Sequence, residues 1–171
     1  MQESGRSASK TALLVAAYRG RAASTYPHLC TDPWARALAG AEGLQLTETP
    51  DRLYPHMELW VAMRTYFLDR TVQTFTADGI QQIVILGAGL DSRGARLSGD
   101  DCRYFLVDHP ASQADRQKRL KALPDYPQSA ETAVPCDFEE ESFIQQLQTC
   151  GFDRTEPALI LWEGVVYYLR E

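Results

Sequence analysis

Gln82-Ile83-Val84-Ile85-Leu86-Gly87-Ala88-Gly89-Leu90-Asp91-Ser92-Arg93 decides the fold. Its first half is a short, unbroken apolar run closed by a Gly-x-Gly turn, the pattern of a strand buried on both faces. The pattern recurs downstream. Tyr104-Phe105-Leu106-Val107 ends at Asp108-His109-Pro110, Thr132-Ala133-Val134-Pro135-Cys136 leads to Asp137, and Ala158-Leu159-Ile160-Leu161-Trp162 ends at Glu163-Gly164. Pro135 marks the third run as an edge strand, because proline cannot donate to a ladder. Helices are expected from about Ala111 to Leu123 and from Glu139 to Cys150, with Glu139-Glu140-Glu141 as a favourable acidic first turn. Strands alternating with helices at this spacing give right-handed βαβ units and a parallel sheet, so the fold class is α/β.

Upstream, residues 1–80 read as a helical region and 81–171 as the sheet-bearing half. Ser9 precedes a segment with Ala12, Leu13, Val15 and Ala16 on a helical face. Asp32-Pro33 is a second start signal, a capping carboxylate before a proline at the first helical position, with Gly40 as the expected stop. A longer helix is expected from Tyr54 to Ala77, with Leu59, Ala62, Met63, Tyr66, Phe67 and Arg70 sharing one face and Gly79 ending it.

Composition narrows the function. Over 171 residues, 17 Lys+Arg against 23 Asp+Glu leave a net charge of −6, and the basic residues are scattered apart from Arg116-Gln117-Lys118-Arg119. Nucleic acid and anionic membranes call for a concentrated basic surface, so neither is an expected partner. No stretch reaches the roughly 18 apolar residues of a membrane span. Met1-Gln2-Glu3-Ser4-Gly5-Arg6 lacks a signal-peptide pattern. Cys30, Cys102, Cys136 and Cys150 are far apart, with no C-x-x-C and with only three histidines in the chain, so neither metal nor disulfide framework is expected. Reduced thiols and no leader point to the cytoplasm.

In open α/β sheets, ligands bind beyond the carboxyl ends of the strands. Four strands deliver Gly87-x-Gly89, Asp108, Asp137 and Glu163 to that edge. The glycines allow a tight turn and close ligand approach. Asp108 follows Gly89 by about 20 residues, the spacing of an acid that bonds a ribose hydroxyl. The ligand class is a nucleotide or nucleoside. Ser92 stands where the dinucleotide pattern has its third glycine, and Asp91 adds a negative charge that would repel a pyrophosphate. A nucleoside with a positive centre, S-adenosylmethionine, suits such a loop. NAD is disfavoured and remains the alternative. Asp108 also reads as a helix cap ahead of Pro110, and Asp137 as a cap whose capping box Glu140 completes. Glu163 has little structural reason to end so apolar a strand. Arg64, taken alone, reads as a solvated or salt-bridged residue of the long helix, and a structural role is preferred for His109 over that of a base.

Val84 to Arg93, then Val107-Asp108-His109-Pro110, then Trp162-Glu163-Gly164-Val165-Val166-Tyr167-Tyr168-Leu169 resemble the leucine carboxyl methyltransferase-like family. So do Thr11 to Ala16, Thr31-Asp32-Pro33-Trp34-Ala35, Asp137-Phe138 and Gly151-Phe152-Asp153. The resemblance implies a Rossmann-like methyltransferase fold with an N-terminal helical extension, S-adenosylmethionine as cofactor, and methyl transfer to an oxygen, as in bacterial enzymes of secondary metabolism. It implies that Gly87 and Gly89 face the methionine and ribose, Asp108 holds the ribose, Asp137 and Phe138 meet the adenine, Glu163 lies near the methionine amino group, and Arg64 pairs with the cofactor carboxylate. Lys10-Thr11-Ala12 lacks the Lys-Arg pair of relatives that methylate a protein C-terminus, which favours a small-molecule carboxyl or hydroxyl group as acceptor.

Family members continue through further strands after the glutamate at Glu163, whereas this sequence stops at Glu171. The expectation is a partial methyltransferase holding the first four strands, with the fourth at an apolar open edge suited to self-association. A non-catalytic remnant that binds cofactor or a partner chain is the alternative from another class.

Overall fold

In the computed structural model, which describes residues 9–97, 99, 101–128 and 131–165, β1 (Gln82–Leu86) is buried at every position. It lies between β2 (Arg103–Asp108) and β4 (Ala158–Trp162), and β3 (Glu131–Pro135) pairs with the far side of β2. All pairings are parallel and the order is β3-β2-β1-β4, so Pro135 sits on an edge strand and β4 forms the other edge. Alternation along the strands divides the core. Ile83, Ile85, Tyr104, Leu106 and Leu161 pack on one face with Val72, while Val84, Leu86, Phe105 and Val107 pack on the other with Leu147.

The helices are α1 (Lys10–Thr25), α2 (Ala35–Leu46), α3 (Glu48–Leu53), α4 (Met57–Ala77), α5 (Arg93–Leu97), α6 (Pro110–Leu120) and α7 (Phe143–Thr149). Val72 belongs to α4 and Leu147 to α7, which places these two helices on opposite faces. The start of α2 is as the sequence expects: Asp32 Oδ1 accepts from the backbone N–H of Ala35 at 2.9 Å and of Trp34 at 3.2 Å.

Several local expectations are corrected. Ser9 precedes α1, yet its side chain makes no capping bond. Gly40 kinks α2 with φ +63° instead of ending it, and the helix resumes to Leu46. α6 stops at Leu120 rather than Leu123, with Lys121 in a turn. The acidic run Glu139–Glu141 lies in a turn and bend, and α7 begins only at Phe143. On α4 the inward face is Val61, Ala62, Thr65 and Val72, whereas Met63 and Phe67 are 57% and 67% exposed. Polar side chains on the inward side have partners there: Asp69 is engaged by Arg93 and Arg96. Arg116, one of the three basic residues of the Arg116–Arg119 cluster, is buried.

Among the described residues, no helix is long and apolar enough to cross a membrane, and no group of three metal-ligating side chains exists. The four cysteines are free thiols. On β4, an edge strand among the described residues, Ile160 and Trp162 are about half exposed. The expectations for Met1–Arg6 and for Val166–Leu169 lie outside the described residues.

Candidate functional site

A cleft of about 540 Å³ opens beyond the carboxyl ends of the strands, within the size range of small-molecule sites. Arg64, Gly87, Gly89, Asp108, Asp137, Phe138 and Glu163 all line it. Gly87, Gly89, Asp108, Asp137, Phe138 and Glu163 converge because parallel strands deliver their carboxyl ends to one side, and Arg64 reaches the same cleft from the helix Met57–Ala77.

The turn after β1 depends on its glycines. Gly87 and Gly89 have φ of +64° and +50°, a region that disfavours side chains. A Cβ at Gly87 would collide with Val165 Cγ2, and one at Gly89 would lie 2.9 Å from Ala12 Cβ. The second contact brings α1 against the turn and makes Thr11, Ala12 and Val15 part of the cleft wall.

Asp108 ties β2 to this turn. Its Oδ2 accepts from the Gly89 N–H at 2.5 Å and its Oδ1 from the His109 N–H at 2.7 Å. It does not cap α6. That is done by His109, whose Nδ1 accepts from the Ala111 N–H at 3.1 Å. A neutral His109 therefore carries its proton on Nε2, which lies 3.6 Å from Asp137 Oδ2. With one ring nitrogen accepting and the other protonated, the imidazole has no lone pair free to act as a base.

Asp137 caps a turn rather than a helix. Its Oδ1 accepts from the Glu139 N–H at 3.0 Å, and its own N–H donates to Glu141 Oε2 at 2.9 Å. Glu141, not Glu140, makes the reciprocal bond. Phe138 packs edge-on against Phe143, with ring centroids 6.3 Å apart.

Across the cleft, Arg64 Nε on α4 lies 2.7 Å from Glu163 Oε1 at the end of β4. The Nε–H is not aligned on that oxygen and has no hydrogen-bond partner, so the contact is an ion pair alone. The Arg64 guanidinium stacks 4.4 Å over the Trp60 ring. Burial lowers its pKa, Glu163 opposes that shift, and Arg93 adds to it.

Behind this pair runs a buried ionic network. Arg93 bonds Asp91, reaches Asp69 at 2.9 Å and approaches Glu163 Oε2 at 3.5 Å. Arg96 bonds Asp69 at 2.5 Å. Ser92 donates its hydroxyl to Asp32 at 2.6 Å, and Arg19 donates to Asp32 at 3.0 Å and to the Leu90 carbonyl at 2.6 Å. Burial alone would raise the Asp91 carboxyl, but Arg93 and Arg19 hold it below the usual carboxylate range. Asp91 is thus a neutralised partner of Arg93 and not the free negative charge that the sequence expectation made of it. Arg19, Thr11 and Ser112 also line the cleft, and no motif in the sequence marks them. Nothing local distinguishes a helix arginine that folds inward from one that is solvated.

The family model for leucine carboxyl methyltransferase matches residues 12–171. A protein of Mycobacteroides abscessus named "Putative S-adenosyl-L-methionine-dependent methyltransferase" is 34% identical, over 93% of this chain and 56% of its own length. Proteins with the same name from Mycolicibacterium vanbaalenii and Mycobacterium tuberculosis are 32% and 33% identical over 93% of this chain. The chain spans about half the length of these relatives, 56% to 57%.

Proposed function

The chain belongs to the leucine carboxyl methyltransferase family, and from that premise we propose that its cleft binds S-adenosyl-L-methionine and serves methyl transfer to a carboxyl or hydroxyl oxygen of a small molecule, in bacterial secondary metabolism. The observation that carries this is the Arg64–Glu163 pair beside a glycine turn whose Gly89 N–H is held by Asp108.

The residues present fit that cofactor. Its amino-acid end carries an ammonium and a carboxylate on adjacent atoms. Glu163 and Arg64 offer the opposite charges side by side, and Arg64 Nε is a buried donor without a hydrogen bond. Each Asp108 oxygen accepts one backbone bond, and a carboxylate oxygen has capacity for more, so ribose hydroxyls can be held without displacing the turn. The backbone of Gly87 lines the cleft where the chain of the ligand would lie, and Phe138 with Asp137 forms the wall suited to its base.

When bound, the cofactor supplies a methyl group on a sulfonium centre, activated for displacement. The chain's own part is to hold and align: the amino-acid end against Arg64 and Glu163, the ribose on Asp108, and water excluded by α1 packed on Gly89. A carboxylate acceptor needs no general base at neutral pH. His109, with Nδ1 engaged by Ala111, is not placed to act as one, which favours a carboxyl over a hydroxyl acceptor.

The exposed β4 edge supports a second reading, in which the chain binds cofactor without turnover and associates through that edge. Incubation with methyl-labelled S-adenosylmethionine and a panel of small carboxylic acids, phenols and alcohols separates the readings. Label that is released by mild base is a methyl ester and supports carboxyl methylation. Base-stable label indicates an ether. Cofactor binding with no transfer across the panel favours the second reading.

A further inference from the structure

Among the described residues Arg116 is the bulkiest fully buried side chain, 1% exposed, yet it does not line the cleft. It reaches from α6 to the back of the glycine turn. Its Nη1 donates to the Asp91 carbonyl at 2.5 Å and lies 3.4 Å from the Gly89 carbonyl. Its Nη2 donates to Glu131 Oε2 at 2.7 Å and to the Tyr126 hydroxyl at 2.8 Å. Glu131, the first residue of β3, uses its other oxygen to accept from Tyr126 at 2.8 Å and from the Ala95 N–H of α5 at 3.1 Å. One planar fork thus joins the turn, α5, α6 and β3.

From the cleft side the same turn is held by Asp108, which accepts from the Gly89 N–H, by Arg19, which donates to the Leu90 carbonyl, and by β2, where the Val107 carbonyl accepts from the Ala88 N–H. Asp108 and Arg116 act on opposite groups of the turn: Asp108 takes the Gly89 N–H, and Arg116 takes the Gly89 and Asp91 carbonyls, while Arg19 holds the Leu90 carbonyl between them. Together they leave the peptide planes between Gly89 and Asp91 little freedom to rotate. A buried ion pair seldom outperforms well-packed apolar side chains in stability, so stability alone is a poor reason for this one. Fixing a single shape for a glycine-rich segment is a better one. Lysine cannot replace it, because a point charge with one nitrogen cannot serve the carbonyls and the Glu131–Tyr126 pair at the same time.

We infer that Arg116, braced by Glu131 and Tyr126, is a positioning residue that holds the Gly87–Asp91 turn in its ligand-accepting shape. This rests on the proposal that the cleft takes a nucleoside cofactor.

The test uses the ¹⁵N-labelled chain, following the Gly87 and Gly89 amide resonances and titrating S-adenosylhomocysteine by calorimetry. The variants are Arg116→Lys, Tyr126→Phe and the paired Arg116→Met/Glu131→Gln, which leaves no unpaired buried charge. Lys118→Gln, an exposed neighbour on the same helix, is the control. The expected result is displaced Gly87 and Gly89 resonances with an unchanged far-ultraviolet spectrum. Affinity should fall about tenfold in Arg116→Lys, the scale of a lost hydrogen bond to a charged group. Tyr126→Phe should move both readouts less, in the same direction, and Lys118→Gln neither. A lowered melting temperature with unmoved glycine resonances and unchanged affinity would overturn the inference and leave Arg116 a purely structural residue. If the unmodified chain fails to bind S-adenosylhomocysteine, the cofactor proposal fails, while the glycine resonances of the variants still decide whether Arg116 sets the turn.

Discussion

Arg64 and Glu163, 99 positions apart in sequence, face each other across the cleft mouth at 2.7 Å without a hydrogen bond. Each side chain is about a quarter exposed, so the pair contributes at most about 1 kcal/mol to folding. Its larger effect is expected on ligand binding. Arg64→Met and Glu163→Gln should each weaken S-adenosylmethionine by about 1.5–3 kcal/mol, the scale of a charged hydrogen bond, with little change in urea midpoint. Paired calorimetry and urea titration check this. A large loss of stability with unchanged affinity would make the pair a structural clasp.

Asp108 holds two backbone N–H groups and is proposed to hold the ribose as well. Asp108→Ala should weaken cofactor binding by at least about 1 kcal/mol. Asp108→Asn, which keeps one acceptor oxygen, should lose less. Equal affinity in all three proteins would remove the residue from the ribose site.

Asp32 makes the fold sensitive to acid. Burial alone would raise its carboxyl, but Arg19 and Arg96, with the Ser92 hydroxyl, hold it below the usual carboxylate value. The folded state therefore binds this proton less readily than the unfolded chain. The resulting stability is fully present above the unfolded pKa of about 3.9 and is lost as pH falls through the lower folded value. Asp32→Asn should cost about 3 kcal/mol at neutral pH, as for breaking a buried ion pair, and should flatten the loss of stability below pH 4. Denaturant titrations between pH 3 and 7 measure both effects.

The proposal of self-association through β4 makes a separate claim. Ile160 and Trp162 present an uncharged, half-exposed edge, and a lysine on such an edge opposes pairing. Sedimentation velocity should find association in the unmodified chain and less of it in Trp162→Lys. A monomer at all concentrations in both proteins would dispose of the claim.

The parts legible in sequence were those set by local pattern. The apolar run Ile83–Leu86, its glycine turn, and the acids Asp108 and Glu163 could be placed together because parallel strands bring their carboxyl ends to one edge. The face of α4 is misread from its apolar pattern, which points to Leu59, Ala62, Met63, Tyr66, Phe67 and Arg70 where the buried residues are Val61, Ala62, Thr65 and Val72. Met63 and Phe67 are apolar but point outward, whereas Thr65 and Asp69 turn inward, Asp69 toward Arg93 and Arg96. Those partners lie more than twenty residues downstream, so no periodicity within the helix records them. Arg116 was hidden for the same reason. Its sequence neighbours describe a basic surface, and only the fold brings the Gly89 and Asp91 carbonyls and Glu131 to its guanidinium. The turn at Glu139–Glu141 failed at shorter range: the Asp137 N–H bonds Glu141 instead of Glu140, and that bond closes a turn before α7 can begin.

Calorimetric titration of the folded chain with S-adenosylmethionine and S-adenosylhomocysteine, with NAD as control, tests the central claim most directly. Saturable binding of the first two and none of NAD is the predicted result. Binding of NAD instead, or of none of the three by a chain shown to be folded, would contradict the assignment of this cleft to a methyl-donor cofactor.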